Sequence, residues 1–282
     1  MKLTYIHHSG FLLETPACTL LFDYVEGVLP RIPAGKPLYT FVSHTHHDHY
    51  TKKIFAVADT ALTQGASEVF YVLSDDVPRR DVPAALVPHC VFLKPHTEWQ
   101  DGMICVETLV SNDTGVAFWI SVPASEDASS AAASDGASAA GSASPASGGV
   151  AKAGTGVSAD ATSGKYHEAL QIYFAGDLNA WNWDGDEEDM ALIRIYREEL
   201  KRVDAVIFDL AFIPLDPRLG EERIQGLTDF FDVCGCEARV IAPMHMWGQY
   251  DVVEKARALA DKYPYMERLL PITREGEVFT LS

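Results

Sequence analysis

Residues 43–49 read Ser-His-Thr-His-His-Asp-His and place four histidines and one aspartate in six consecutive positions. The whole chain of 282 residues has only ten histidines, so composition alone does not account for this density. Imidazole nitrogens and carboxylate oxygens are common protein ligands of transition metals. A histidine-rich surface tract would bind a metal loosely, but the order His-x-His-x-Asp-His is typical of a built site. The stretch therefore predicts a metal centre.

This cluster follows a predicted buried strand. Residues 38–42 read Leu-Tyr-Thr-Phe-Val, and a helix-like stretch begins just after the cluster. Because alternate residues of an extended segment share a face, His44 and His46 can bind one cation. Asp48 and His49 lie beyond the turn and can reach a second position nearby. This mixture of nitrogen and oxygen ligands fits Zn²⁺ first and Mn²⁺ or Fe²⁺ less well.

The motif and three later ones resemble the metallo-β-lactamase superfamily. Each later motif ends an apolar, strand-like run, and they follow in the order that the superfamily has. They are Leu20-Leu21-Phe22-Asp23, Ile172-Tyr173-Phe174-Ala175-Gly176-Asp177 and Val240-Ile241-Ala242-Pro243-Met244-His245. The resemblance covers nearly the whole chain apart from one insertion. It implies an α/β fold, a four-layer αββα sandwich with a two-metal site at one sheet edge.

The resemblance also implies which side chains bind the two metals. These ligands are His44 and His46 for the first metal, Asp48, His49 and His245 for the second, and Asp177 as the bridge between them. Asp23 is expected to orient a ligand rather than to bind a metal itself. The predicted catalytic residues are Asp48, Asp177 and His8.

One ligand that the superfamily usually supplies is missing. A third histidine of the first metal should follow a strand between the two motifs, but residues 111–115 read Ser-Asn-Asp-Thr-Gly. Asn112 or Asp113 occupies the place. Asp113 could bind as an oxygen ligand, or a water could fill the gap. Either alternative predicts that the first metal is held more weakly than three imidazoles would hold it.

The opening segment carries another candidate. Residues 6–14, Ile-His-His-Ser-Gly-Phe-Leu-Leu-Glu, resemble the first hairpin of the lactonase-like and phosphodiesterase-like branches of the superfamily. In those branches this histidine lies close to the metals, so the resemblance implies a site role for His8. The alternative is a hairpin histidine that bonds to backbone. His89 and His96 precede the strand that should carry the missing ligand, and we expect them to be loop or surface histidines.

Two loops near the expected site hold large side chains. Trp181 and Trp183 either wall the pocket or pack under the next helix. Trp247 follows His245 by two positions and is a further candidate for the wall. Arg218 could bind a substrate anion, although a rigid turn with a contact between Asp216 and Arg218 is the favoured interpretation.

Composition predicts one domain over residues 1–282. The chain is 48% hydrophobic and 22% charged, which provides for a sizeable core. Residues 124–165 are mostly Ala, Ser, Gly, Thr and Asp, and such a segment buries too little apolar surface to offset its ordering entropy. We predict a disordered insertion there. Strand-like runs flank it, so it replaces a hairpin turn.

Charge and cysteine usage restrict the partners. The formal net charge is −18 and the pI about 4.8, whereas nucleic-acid binding needs clustered lysine and arginine. No apolar run is long enough to span a membrane, and the first ten residues lack a signal-like core. Three of the five cysteines are scattered, and Cys234 and Cys236 are too close together to form a convincing disulfide, which agrees with a cytoplasmic protein. We expect a small-molecule substrate, no nucleic acid and no membrane partner, and the oligomeric state stays open.

These observations predict a zinc-dependent metallo-hydrolase. A water between two cations loses a proton near neutral pH, and the metal-bound hydroxide would cleave an ester-type bond. The opening hairpin favours a small, anionic lactone or carboxylic ester. One alternative is a phosphodiesterase, and another is a non-catalytic binding protein of the same fold. A di-iron oxidoreductase is disfavoured because it would usually need a glutamate at the position of His46.

Overall fold

A computed structural model describes residues 1–125 and 169–282. The predicted disordered insertion, residues 124–165, lies almost entirely outside the described residues. Its disorder and the assignment of one domain to residues 1–282 therefore stay predictions. The described residues form two β-sheets that pack face to face, with short helices outside them.

Within the described residues, the first sheet has seven strands. They are β1 (Lys2–His7), β2 (Gly10–Glu14), β3 (Thr19–Phe22), β4 (Leu38–Val42), β5 (Val69–Ser74), β6 (Cys90–Leu93) and β13 (Val278–Thr280). Their spatial order is β13-β1-β2-β3-β4-β5-β6, and β3 to β6 are parallel. Every residue of β4 is buried, as expected for a parallel strand that is covered on both faces.

The second sheet has six strands in the part of the chain that is described. They are β7 (Glu98–Gln100), β8 (Cys105–Val110), β9 (Val116–Pro123), β10 (Ala169–Phe174), β11 (Ile207–Pro214) and β12 (Glu237–Met244). Their spatial order is β12-β11-β10-β9-β8-β7, and β10, β11 and β12 are parallel. Strands β9 and β10 are antiparallel, with Pro123 opposite Ala169. This pairing confirms that the strands on either side of the insertion are hairpin partners.

The helices are short. The α-helices are α1 (Val57–Gln64), α2 (Glu187–Leu200), α3 (Gln225–Thr228) and α4 (Asp251–Arg257). The 3₁₀ segments are Lys52–Ala56, Arg79–Asp81, Ala84–His89, Pro217–Ile224 and Pro264–Arg268, and Asp229–Val233 forms a π-helical turn. None of the helices in the two described ranges could cross a bilayer.

Apolar residues at 192, 195, 196, 200 and 203 predict a helix over residues 187–203 with Asp186 as its N-cap, and helix α2 begins there. The Asp186 carboxylate accepts hydrogen bonds from the backbone N–H groups of Glu188 and Asp189, each at 2.9 Å. Such a cap satisfies donors that have no partner inside the helix. The helix ends at Leu200 rather than at Val203, because residues 201–203 turn towards β11.

The core confirms the four-layer α/β sandwich. Phe22 of the first sheet stacks on Phe174 of the second, with ring centroids 4.7 Å apart and an interplanar angle of 11°. Phe11 meets Phe212 across the same interface at 4.8 Å. A second, smaller apolar cluster lies between the outer face of the first sheet and α1, and α2 covers the second sheet through Ile193 and Tyr196.

Candidate metal centre

The predicted site residues gather where strands of both sheets end. Asp23 follows β3, and the His-rich turn follows β4 in the first sheet. Asp177 follows β10, and His245 follows β12 in the second. The carboxyl ends of parallel strands lie at one edge of a sheet, where α/β proteins commonly bind ligands. Packing the two sheets therefore brings residues that are 200 positions apart into one cluster.

Two glycines allow this close approach. A Cβ atom at Gly115 would lie 2.2 Å from the Ser43 carbonyl oxygen and 2.5 Å from the His44 Cβ atom. A Cβ atom at Gly176 would lie 2.8 Å from that of Ser43. Both glycines have positive φ angles, +70° and +54°, which glycine adopts without steric cost. The turns after β4, before β9 and after β10 thus touch through backbone.

One group of possible ligands contains His8, Asp48, His49 and His245. The Oδ2 atom of Asp48 lies 3.3 Å from Nε2 of His8, 3.5 Å from Nε2 of His245 and 3.9 Å from Nε2 of His49. Metal–ligand bonds of about 2.0–2.2 Å in a tetrahedral site place ligand atoms about 3.3–3.6 Å apart. The spacing of this group therefore suits a single cation. We call it the buried group, because its three imidazoles are 0–5% exposed.

The remaining predicted ligands form the open group, which contains His44, His46, Asp113 and Asp177. Oδ2 of Asp177 lies 3.3 Å from Nε2 of His44 and 3.9 Å from Nδ1 of His46. Nδ1 of His46 is also 3.6 Å from Oδ2 of Asp113. The side chains of His46 and Asp113 are 47% and 46% exposed. His44 and His46 do not fall into one close ligand set; His44 groups with His49 and Asp177 instead.

Asp177 lies between the two groups. Its Oδ1 atom is 3.0 Å from Nε2 of His49 and 3.5 Å from Nε2 of His245, while Oδ2 faces the open group. Burial alone would raise the pKa of Asp177, but the neighbouring His49 and His44 hold it well below its usual range. The carboxylate is therefore ionised, as a bridging ligand must be.

Several buried polar atoms at this centre have no hydrogen-bond partner. They are the Nε2 atoms of His8, His44, His49 and His245, and Oδ1 of Asp177. Buried polar atoms are nearly always paired, because an unpaired one costs about 1–3 kcal/mol. Burial also lowers the pKa of His8 to about 4, so this imidazole is neutral near pH 7. These donor atoms fit one or more cations.

Asp23 holds the turn as predicted. Its Oδ2 atom is hydrogen-bonded to Nδ1 of His49 at 2.6 Å, and it also accepts from the Ser43 hydroxyl at 2.6 Å. Its Oδ1 atom accepts the Ser43 backbone N–H at 2.8 Å. A carboxylate on Nδ1 directs Nε2 of the same ring towards a metal.

Asp216 does the same for His245, a role that we did not predict. Its Oδ2 atom is hydrogen-bonded to Nδ1 of His245 at 2.8 Å and accepts the Trp247 indole N–H at 3.2 Å. The Arg218 guanidinium donates to it as well, which confirms the predicted contact between Asp216 and Arg218. Burial would raise the pKa of Asp216, but His245 and Arg218 outweigh it and lower the pKa to about 2.

Backbone strain is concentrated at this centre. Five non-glycine residues of the described ranges have positive φ angles. Four of them are His8, Asp23, His245 and Trp247, with φ between 36° and 66°. Such conformations cost about 1–3 kcal/mol each and persist where surrounding contacts enforce them.

Asn112 and the other described histidines belong to neither group. The Asn112 side-chain amide donates hydrogen bonds to the backbone carbonyls of Asn179 at 2.6 Å and Leu192 at 2.9 Å. Of the two residues at the place of the missing histidine, only Asp113 faces the centre. His89 lies 3.6 Å from Glu68, and His96 is hydrogen-bonded to Glu199, so both lie outside it, as predicted. His47 is 91% exposed and His7 contacts Glu275.

No protein-family model matches the chain. Among curated proteins, a UPF0173 metal-dependent hydrolase from Desulforamulus reducens is 39% identical over 66 residues. This match spans 22% of the present chain and 29% of that relative. It therefore covers less than a third of the relative's length.

Two solved structures resemble the chain over its whole length. Igni18, a metallo hydrolase from Ignicoccus hospitalis, superposes with a TM-score of 0.54 at 11% identity, covering 100% of this chain and 99% of that one. YhfI from Bacillus subtilis, a metallo-beta-lactamase fold protein, superposes with a TM-score of 0.53 at 14% identity, covering 99% of both chains. At these identities the likeness concerns the fold alone.

Proposed function

Because the chain has the metallo-β-lactamase fold, we propose that it is a metal-dependent hydrolase. One observation carries the proposal: four buried imidazole nitrogens and one buried carboxylate oxygen converge without hydrogen-bond partners. Bound cations would satisfy all of them, whereas an empty centre would leave them desolvated and unpaired. The names of the relative from Desulforamulus reducens and of Igni18 agree with this class of activity.

We assign two cations, and we favour Zn²⁺ because imidazole is the main ligand type. The buried group would hold one ion through Asp48, His49 and His245, with His8 as an additional nitrogen ligand. His44, His46 and Asp113 would hold the other, and Asp177 would bridge the two. His44 and His46 would have to move closer together to share that ion than they stand in the structure.

Bound divalent cations would lower the pKa of a water molecule and polarise the substrate oxygen. The chain itself would hold that water and place the substrate. Burial would raise the pKa of Asp48, but the neighbouring His245 and His8 hold it well below its usual range. Asp48 is therefore ionised, as a ligand of a bound cation must be. Asp23 and Asp216 keep the imidazoles of His49 and His245 in position.

For the substrate, we propose a small, anionic lactone or carboxylic ester. The support is the likeness of residues 6–14 to the first hairpin of the lactonase-like branch, together with the position of His8 of this hairpin beside Asp48. All five cysteines are free thiols, in keeping with the reducing cytoplasm where we propose that the protein works.

The test is metal analysis combined with a substrate screen. We expect about two transition-metal ions per wild-type chain and hydrolysis of a lactone or carboxylic ester after loading with Zn²⁺. His49→Ala should lose metal and activity, whereas His47→Ala, which alters an exposed neighbour, should retain both. Fewer than one bound ion per chain, with unchanged hydrolysis by His49→Ala, would contradict the proposal. Cleavage of phosphodiesters alone would mean that the substrate is a phosphodiester and not a carboxylic ester. Metal binding without any hydrolysis would indicate a binding protein.

A further inference from the structure

Two exposed tryptophans lie together beside the candidate metal centre. Trp183 is 47% exposed and Trp247 is 38% exposed. They are the only exposed Phe, Trp or Tyr rings in residues 1–125 and 169–282. Exposed rings that cluster, rather than scatter, indicate a binding surface.

Arg218 lies between these rings. Its Cζ atom is 4.4 Å from the centroid of Trp247 and 5.4 Å from that of Trp183. Both distances are within the range of a cation–π interaction. The Arg218 side chain is 45% exposed, so solvent and ligands can reach it. We call Trp183, Arg218 and Trp247 the cationic wall.

The cationic wall adjoins the buried group directly. The Trp247 ring is 4.5 Å from that of His8 and 5.5 Å from that of His245, measured between centroids. On the other side, Trp183 stacks on Trp181 at 5.8 Å, and Trp181 lies 5.6 Å from His245. A small molecule whose ester group lies at the metal centre would therefore contact the cationic wall with atoms only a few bonds away from that ester.

The guanidinium keeps hydrogen-bonding capacity for a ligand. An arginine has five N–H donors in a planar fork. Asp216 accepts from Nε at 3.0 Å and from Nη2 at 2.5 Å, which fixes one edge of the fork. Among the described residues no hydrogen bond reaches Nη1. The end of the fork is thus a rigid, exposed donor pair of the geometry that a carboxylate matches.

We propose that the cationic wall binds a carboxylate group of the substrate, next to the ester bond that is hydrolysed. Arg218 would donate to the carboxylate, while the two indoles would pack against the carbon chain that joins it to the ester. This inference rests on the proposed hydrolysis and narrows its substrate to esters that carry a free carboxylate.

The test compares two esters that differ in this charge, 4-nitrophenyl acetate and mono-4-nitrophenyl glutarate. We expect Arg218→Gln to raise KM for the glutarate ester by about 10- to 100-fold, the usual worth of a hydrogen bond between charged groups. The acetate ester has no carboxylate for Arg218 to bind, so its KM should rise far less. Any effect of Arg218 through Asp216 and His245 would act on both esters alike, so the ratio of the two KM values carries the test. Arg218→Lys keeps the charge but loses the fork, and it should lie between wild type and the glutamine variant.

Arg79 offers a matched control. It lies over the ring of Phe92 at 3.9 Å and contacts Asp75 at 3.3 Å, so it is another exposed arginine that pairs with an aromatic ring and an aspartate. Arg79→Gln should leave KM and kcat unchanged for both esters. Equal losses for both esters in Arg218→Gln, or loss of bound metal from that variant, would overturn the inference, because Arg218 would then act through Asp216 on His245.

A binding measurement separates this inference from the proposed function. Benzoate and its neutral analogue benzamide are titrated into the metal-loaded protein, and tryptophan fluorescence is read. Even if the wild type hydrolyses neither ester, tighter binding of benzoate than of benzamide, lost in Arg218→Gln and kept in Arg79→Gln, would support the cationic wall. Benzoate binding that is unchanged in Arg218→Gln would overturn it.

Discussion

The two halves of the candidate centre differ in how firmly the chain holds its ligands. In the buried group, His49 and His245 are each fixed at Nδ1 by a buried carboxylate, Asp23 or Asp216. In the open group, no buried carboxylate fixes the His46 ring in this way: Asp113 is 3.6 Å away and half exposed, Asp177 is 3.9 Å away, and His46 itself is half exposed. The fold therefore pre-organises one position for a cation and leaves the other open to solvent.

This difference has a simple origin in strand pairing. Phe22 lies beside Phe41 in the parallel pair β3 and β4, so Asp23 reaches the first residue after β4. Pro214 lies beside Met244 in the parallel pair β11 and β12, so Asp216 reaches His245. His46 and Asp113 stand on turns beyond the strands and have no such neighbour. A pre-organised site binds its metal tightly, because few groups must be ordered on binding.

The largest effect should come from Asp177→Ala, which removes the one carboxylate that both groups share. We expect loss of both ions and a fall in hydrolysis of more than about 100-fold, beyond the effect of an outer carboxylate. Metal content by mass spectrometry and kcat/KM would check it. If the variant keeps one ion at full affinity, the two halves are independent and Asp177 is not a bridge.

A smaller effect should follow from Asp216→Asn, which keeps the shape of the side chain but removes its charge. Loss of such an outer partner typically weakens metal binding by about 10- to 100-fold. We expect this loss for one ion only, that of the buried group, as measured by competition with a chelator. If both ions bound equally more weakly, the two halves would not differ in how firmly outer carboxylates hold their ligands.

The smallest effect should come from Asp113→Ala, because this carboxylate is nearly half exposed. Solvent competes for an exposed ligand, so we expect less than about tenfold weaker binding of the open-group ion, which is the first to be released. This effect lies below the range for a buried outer partner. Asp59→Ala in α1 alters another exposed acid and is the control. Loss of the tighter ion instead would reverse our assignment of the two halves.

Much of the fold was predictable because the ligands sit at the ends of strongly apolar strands. The runs before Asp23, Ser43, Asp177 and His245 are all strands, and the sandwich that the resemblance implied is confirmed. The sequence of residues 223–233 also predicts a helix. The segment is helical, but it is a succession of 3₁₀, α and π turns rather than one regular helix.

The support of His245 could not be predicted in the same way. Asp216 follows β11 by two residues, a signal like that of Asp23 after β3, but its partner depends on the register between β11 and β12. No local pattern encodes that register, because it is set by packing of the whole sheet. Likewise, the roles of Asn112 and Asp113 depended on which way each side chain points after β8. Burial of Asn112 against the carbonyls of Asn179 and Leu192 decided it.

The contacts of Gly115 and Gly176 with the turn after β4 have a consequence for biosynthesis. These glycines let the second sheet contact the His-rich turn closely, so each cation would be held by residues from both sheets. A nascent chain that has only β1 to β6 lacks Asp177 and His245, so it cannot complete either position before the second sheet is made and docks. Retained metal would then mark molecules that have completed folding.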